Sequence, residues 1–168
     1  LQKPKTKMHT ISHVYQDNDQ LANFLKKNNI KKNTDNILVQ VFTGQIKKNF
    51  IEKLRKSILG FLPKAKILGA TTVGEIYADK VLDNQTVITI SSFQKTKIET
   101  AAISHTRNKN QSYITGNKLA KKLITPETKA LICFGEGINT NGEDLVKGIQ
   151  EIKNSVAVAG GLAGDNMA

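Results

Sequence analysis

The sequence predicts an α/β fold, a mixed β-sheet with flanking helices in the order β-α-β-α-β, then antiparallel hairpin strands, then α-β-α-β. Three observations predict it. Short apolar runs, ILVQVF at 37–42, ALICF at 130–134 and SVAVAGG at 155–161, read as buried strands. Amphipathic stretches separate them, and strands alternating with helices imply a sheet with parallel segments. VITISSF at 87–93 and TKIETAAISH at 96–105 are divided by Gln94 and Lys95 alone. That gap is too short for a parallel crossover, so the two read as an antiparallel hairpin.

The remaining elements follow in order. Residues 1–7, LQKPKTK, form a basic tail or linker, and 8–168 form the domain. MHTISHVY at 8–15 alternates and is rich in β-formers, so it reads as a strand. Asp17, Asn18 or Asp19 can cap a helix in which Leu21, Ala22, Phe24 and Leu25 recur at helical spacing to about Lys32. Ile46, Phe50, Ile51, Leu54, Ile58 and Leu59 share one helical face over 46–61, with Gly60 and Pro63 ending it. KILGATT at 66–72 is the next strand, and a short strand is expected near Glu75–Leu82. A helix is predicted over 111–124, and another over 141–153 with Asn141 as its cap and acids in its first turn. The chain begins at Leu1 and stops just after a glycine-rich turn, so a partial or processed chain with a further element beyond it is expected.

Composition narrows the function classes. A chain of 168 residues that is 39% hydrophobic, with 12 Gly, 3 Pro and one Cys, is neither disordered nor a disulfide scaffold. No stretch is long and apolar enough for a membrane span, and no signal peptide is visible. The net charge of +11 is uneven: residues 1–66 carry 14 basic and 4 acidic groups, a net +10. Nucleic-acid binding is nevertheless disfavoured. Only Arg55 and Arg107 among the basic residues are Arg, and aromatics to stack on bases are few. Cys133 has no internal partner, which fits a reducing, cytoplasmic setting.

Ligands in open α/β sheets sit at the carboxyl ends of strands. Here those ends carry Thr43-Gly44-Gln45, Thr71-Thr72-Val73-Gly74-Glu75, Gly135-Glu136-Gly137-Ile138-Asn139 and Gly161-Leu162-Ala163-Gly164-Asp165. Glycines let backbone amides approach a ligand, and hydroxyls and acids supply oriented hydrogen bonds. The ligand-binding candidates are therefore Thr43, Thr71, Thr72, Gly74, Glu75, Gly135, Glu136, Asn139, Gly161, Gly164 and Asp165, for a ligand with an amine and a carboxylate. The alternative at each loop is that the glycines serve tight turns only. No catalytic residue, cofactor or metal site is assigned. His9, His13 and His105 are scattered, and His9 and His13 read as a solvent-facing pair on one strand face. Cys133 lies in an apolar strand with no activating neighbour.

Several of these segments are similar to one family. Gly69-Ala70-Thr71-Thr72-Val73-Gly74-Glu75-Ile76 resembles the G-C-[ST]-[TS]-x-G-E-[IL] segment of the FIST domain, with Ala70 at the position that is usually small or Cys. Ser91-Ser92-Phe93 resembles the strand that follows, and Gly135-Glu136-Gly137 resembles a short turn before a helix. Gly160-Gly161-Leu162-Ala163-Gly164-Asp165 resembles the family's G-G-x-A-G-D turn. The resemblance spans 69–165, while the first third fits by element order alone. It implies the N-terminal half of a bacterial ligand-sensing module for small molecules such as amino acids. It further implies a C-terminal FIST half as partner and an attached output domain, such as a GGDEF diguanylate cyclase, a histidine kinase or a chemoreceptor, that supplies any enzymatic activity. Homodimerisation stays open. Competing readings are a small hydrolase or transferase using Glu75 or Asp165 as base, and a structural spacer. On the sensor reading, alanine at Glu75 is expected to weaken ligand binding without unfolding the domain.

Overall fold

The computed structural model describes residues 8–32, 34–104 and 111–164. The tail at 1–7, His105 and Asp165 lie outside the described residues. The chain forms two compact units, 8–98 and Glu99–Gly164, taken in turn.

The first unit contains β1 (Met8–Val14), α1 (Asn18–Lys27), β2 (Ile37–Thr43), α2 (Lys48–Phe61), β3 (Lys66–Thr71), β4 (Glu75–Tyr77), β5 (Lys80–Leu82) and β6 (Thr86–Phe93). Four strands make one sheet in the order β1-β6-β2-β3. The helical crossover α2 sets β2 and β3 parallel, whereas β6 runs antiparallel to both β1 and β2. Register puts Ile11, Val39, Ile67 and Ile90 in one row and Val41 and Ile88 in the next. Leu21 and Leu25 of α1 and Leu54 and Ile58 of α2 pack on this face. Helix α1 has 10 residues, too few to persist in water on propensity alone, so its order comes from this burial.

Capping explains where α1 begins and stops. Asp17 is the N-cap, its Oδ1 accepting from the Gln20 amide at 2.8 Å. At the other end Asn29 adopts φ 57°, with hydrogen bonds from Asn29 N to Lys26 O and from Ile30 N to Leu25 O. That left-handed stop ends the helix at Lys27, earlier than the periodicity to Lys32 suggests.

The hairpin expected over 87–105 does not form. Residues 96–104 carry no strand, and the antiparallel hairpin sits earlier, between β4 and β5. The reason is topological. Both edges of β6 are taken by β1 and β2, so no edge remains for the segment that follows it.

His13 is also placed differently from its sequence reading. Even spacing does put His9, Ile11 and His13 on one face, but that face meets α1. The His13 ring stacks on Phe24 at 4.5 Å between centroids, and its Nε2 is buried without a hydrogen-bond partner. Burial lowers its pKa below the usual imidazole value, with Asp17 partly opposing. As pH falls below about 6.5 the unfolded chain takes up this proton before the folded one does. The contribution of neutral His13 is therefore complete at higher pH and lost towards its lowered folded pKa. Melting temperature measured from pH 7.5 down to pH 5 is expected to fall more steeply for the wild type than for His13→Phe. Equal slopes would show that His13 is protonated without penalty.

The second unit contains α3 (Ser112–Leu123), β7 (Ala130–Gly135), α4 (Gly142–Ile152) and β8 (Ala157–Leu162). Strands β7 and β8 pair in parallel across the α4 crossover, from Ala130↔Ala157 to Gly135↔Leu162. Ala120, Leu145 and Ile149 are its buried apolar centre, with Leu131, Cys133 and Val158 packed against them. Asn141 caps α4 as its sequence implies, its Oδ1 accepting from the Asp144 amide at 3.2 Å. No helix among the described residues is long and apolar enough to cross a membrane.

Candidate functional site

The carboxyl end of the parallel pair β2–β3 carries a connected polar network. Register aligns Thr71, Thr43 and Thr86 across β3, β2 and β6, so the three threonines form one row on one face. The Thr43 and Thr86 hydroxyls share a 2.7 Å hydrogen bond and are buried. The Gln45 amide donates to Thr43 Oγ1 at 3.1 Å, and the Thr72 amide donates to the Thr43 carbonyl at 3.0 Å. A side chain with no hydroxyl at Thr43 would lose the bonds to Thr86 and to the Gln45 amide and keep the backbone ones.

Glu75 completes the network. It is 1% exposed, the most deeply buried acid among the described residues. Its Oε1 accepts from the Thr72 hydroxyl at 2.7 Å and its Oε2 from the Gln85 amide at 2.8 Å. One carboxyl group thereby ties the turn after β3 to the segment entering β6. A buried acceptor of this kind is retained only when its donors are fixed. Gln45 Nε2 reaches Asn84 Oδ1 at 2.8 Å, and a Cβ on Gly44 would approach Asn84 Cα to 2.7 Å, so the two loops lie against each other closely. Within this clasp Val73 is exposed and Gly74 half-buried. Neither of their amides has an acceptor among the described residues.

The second unit places its candidates at the ends of β7 and β8. Glu136 folds over its own turn: Oε1 accepts from the Ile138 amide at 3.1 Å and Oε2 from the Asn139 amide at 2.6 Å. The Ala163 amide donates to the Gly135 carbonyl at 2.8 Å. A Cβ on Gly137 would overlap the Ala163 carbonyl oxygen, and Gly160 has φ 148° with the Cys133 carbonyl against it. Those two glycines answer local sterics. Gly161 differs, since no described residue lies within 4 Å of the Cβ it lacks. Gly164 follows β8 and is half-buried. Thr43, Thr71, Thr72, Gly74 and Glu75 thus gather in one unit, and Gly135, Glu136, Asn139, Gly161 and Gly164 in the other.

The threonine-and-glutamate strand end and the glycines of β8 both lie within a stretch that matches one family. The family model for the FIST N domain matches residues 37–168. The chain belongs to the FIST family. FIST domains are sensory domains of signal transduction, not catalytic ones. No curated protein and no solved structure matches this chain. The match begins at β2, so it takes in the helix α2 and the Thr43 end as well as the segments that carry the resemblance.

Within this FIST domain, sequence reasoning missed Thr86, Gln85 and Asn84. Thr86 enters through the register of β6 against β2 and Gln85 through its backbone amide, neither of which leaves a residue-type signal, and Asn84 enters through a side-chain oxygen brought to Gln45 from 39 residues away. Among the described residues no group of His, Cys, Asp and Glu could hold a metal ion. Burial pushes the Cys133 thiol pKa up, which disfavours the thiolate a nucleophile needs.

Proposed function

We propose that this FIST domain is the ligand-sensing module of a cytoplasmic bacterial signal-transduction protein. It binds a small molecule such as an amino acid at the carboxyl end of β2–β3 and regulates an attached output domain, of the diguanylate cyclase or histidine kinase kind. A C-terminal FIST half is its expected partner. The observation that carries this reading is the network of buried Thr43, Thr86 and Glu75 with half-buried Thr72, holding a turn whose Val73 and Gly74 amides lack acceptors among the described residues. Two such amides suit a ligand carboxylate, and the Thr71 row suits its other polar groups. Glu75 serves as the anchor of that turn. Both of its oxygens already accept from the chain, which speaks against proton transfer as its task. Signalling requires that the ligand favour one conformation over another.

A thermal-shift screen against amino acids, small carboxylates and nucleotides tests the proposal. A ligand present at 100 times its Kd is expected to raise the melting temperature by about 5–10 °C. The increase should shrink in Thr71→Val. No increase with any amino acid or carboxylate would count against the sensor reading.

A further inference from the structure

The first unit carries a cleft at the carboxyl ends of α1 and α2, separate from the β2–β3 site. Its volume is ≈ 600 Å³, and Ala22, Leu25, Ile30 and Phe61 supply its apolar lining. Lys26, Lys31 and Lys32 line it too, all exposed, and no acidic residue does. None of the three lysines has an ion-pair partner among the described residues. Lys26 lies in the last turn of α1, where the helix dipole alone favours a cation. Lys31 and Lys32 lie beyond the helix, where it does not. The carbonyls of Phe24, Leu25 and Lys26 are capped by Asn28, Asn29 and Ile30, which blunts the negative helix end facing the cleft.

Gly60 is the independent observation. It lies inside α2, where glycine weakens a helix relative to alanine. No described residue lies within 4 Å of the missing Cβ, so no packing demand among them explains it. Nor does a left-handed stop, since α2 continues to Phe61 and Gly60 does not have positive φ. Without a side chain, Gly60 leaves the α2 wall of this cleft open.

We propose that the cleft binds a small amphiphilic anion, an aliphatic or aryl carboxylate. Its apolar body lies on Leu25, Ile30 and Phe61 over Gly60, and its charge lies among Lys26, Lys31 and Lys32. The size falls within the range of small-molecule sites, and the apolar floor with few convergent charges matches their usual make-up. Charge complementarity selects an anion.

The test is an amide NMR titration of the chain with sodium decanoate, below its micelle concentration. 1-Decanol and decyltrimethylammonium serve as uncharged and cationic comparisons. Decanoate is expected to shift Ala22, Leu25, Ile30 and Phe61 and to bind more tightly than decanol, with the cation weakest. Gly60→Leu fills the floor and should weaken decanoate about tenfold without lowering the melting temperature. Gly60→Ala is the milder variant, expected to raise the melting temperature and still weaken binding. Lys31→Gln and Lys32→Gln should each weaken it roughly twofold to fivefold. Absent shifts at these residues, equal affinity for decanol, or unchanged binding in both Gly60 variants would overturn the proposal.

Discussion

Valine at Gly148 is expected to unfold the second unit while the first stays folded. Helices α3 and α4 cross through Ser112, Gly116 and Ala120 on one side and Leu145, Gly148 and Ile149 on the other, all buried. A Cβ on Gly148 would overlap the Tyr113 carbonyl oxygen, and one on Gly116 would overlap that of Leu145. Backbone cannot move aside as a flexible side chain does, so the loss belongs at or beyond the top of the ~1–3 kcal/mol typical of overpacking. Alanine gives the sharper sign. Helix propensity alone favours Ala over Gly by ~1 kcal/mol, yet Gly148→Ala should destabilise. Gly142→Ala is the control, because nothing lies within 4 Å of its missing Cβ. Hydrogen exchange resolved by segment would show protection lost over 112–162 and kept in β2 and β6. A stabilised Gly148→Ala would mean that the helices do not cross this closely.

Alanine at Glu75 should destabilise the first unit by about 2–4 kcal/mol. Truncation takes the acceptor from the Gln85 amide and the Thr72 hydroxyl, both part-buried, and each such loss costs roughly 1–2 kcal/mol. The expectation from sequence, weakened binding in a domain that stays intact, is therefore unsafe for this variant. Glu75→Gln behaves differently. Its carbonyl can accept from the Gln85 amide, and its amide can donate to the Thr72 oxygen. A small change in urea midpoint for Gln and a large one for Ala would identify Glu75 as the anchor of the turn. Equal midpoints for Ala and the wild type would remove it from that role.

The fold was largely legible in the sequence because its strands are short apolar runs and its helices are amphipathic. Asn141 could be read as a cap from residue type and Asp17 as one of three candidates, and both serve as caps. What could not be read was pairing. The insertion of β6 between β1 and β2 depends on contacts distant along the chain, and it displaced the expected strand at 96–105. His13 shows the same gap, since periodicity gave its face but not what covers that face. At the candidate site the motif residues were visible, whereas Thr86 and the Gln85 amide enter only through register and backbone.

The central claim is that the turn after β3 binds a small polar ligand. The most direct measurement is an amide-resolved NMR titration of the chain with pools of amino acids. The account predicts saturable shifts centred on Val73 and Gly74 and extending to Thr71, Thr72 and Gln85, and their loss in Thr71→Val. Saturating amino acids that leave Val73 and Gly74 unmoved, or shifts confined to other elements, would contradict it.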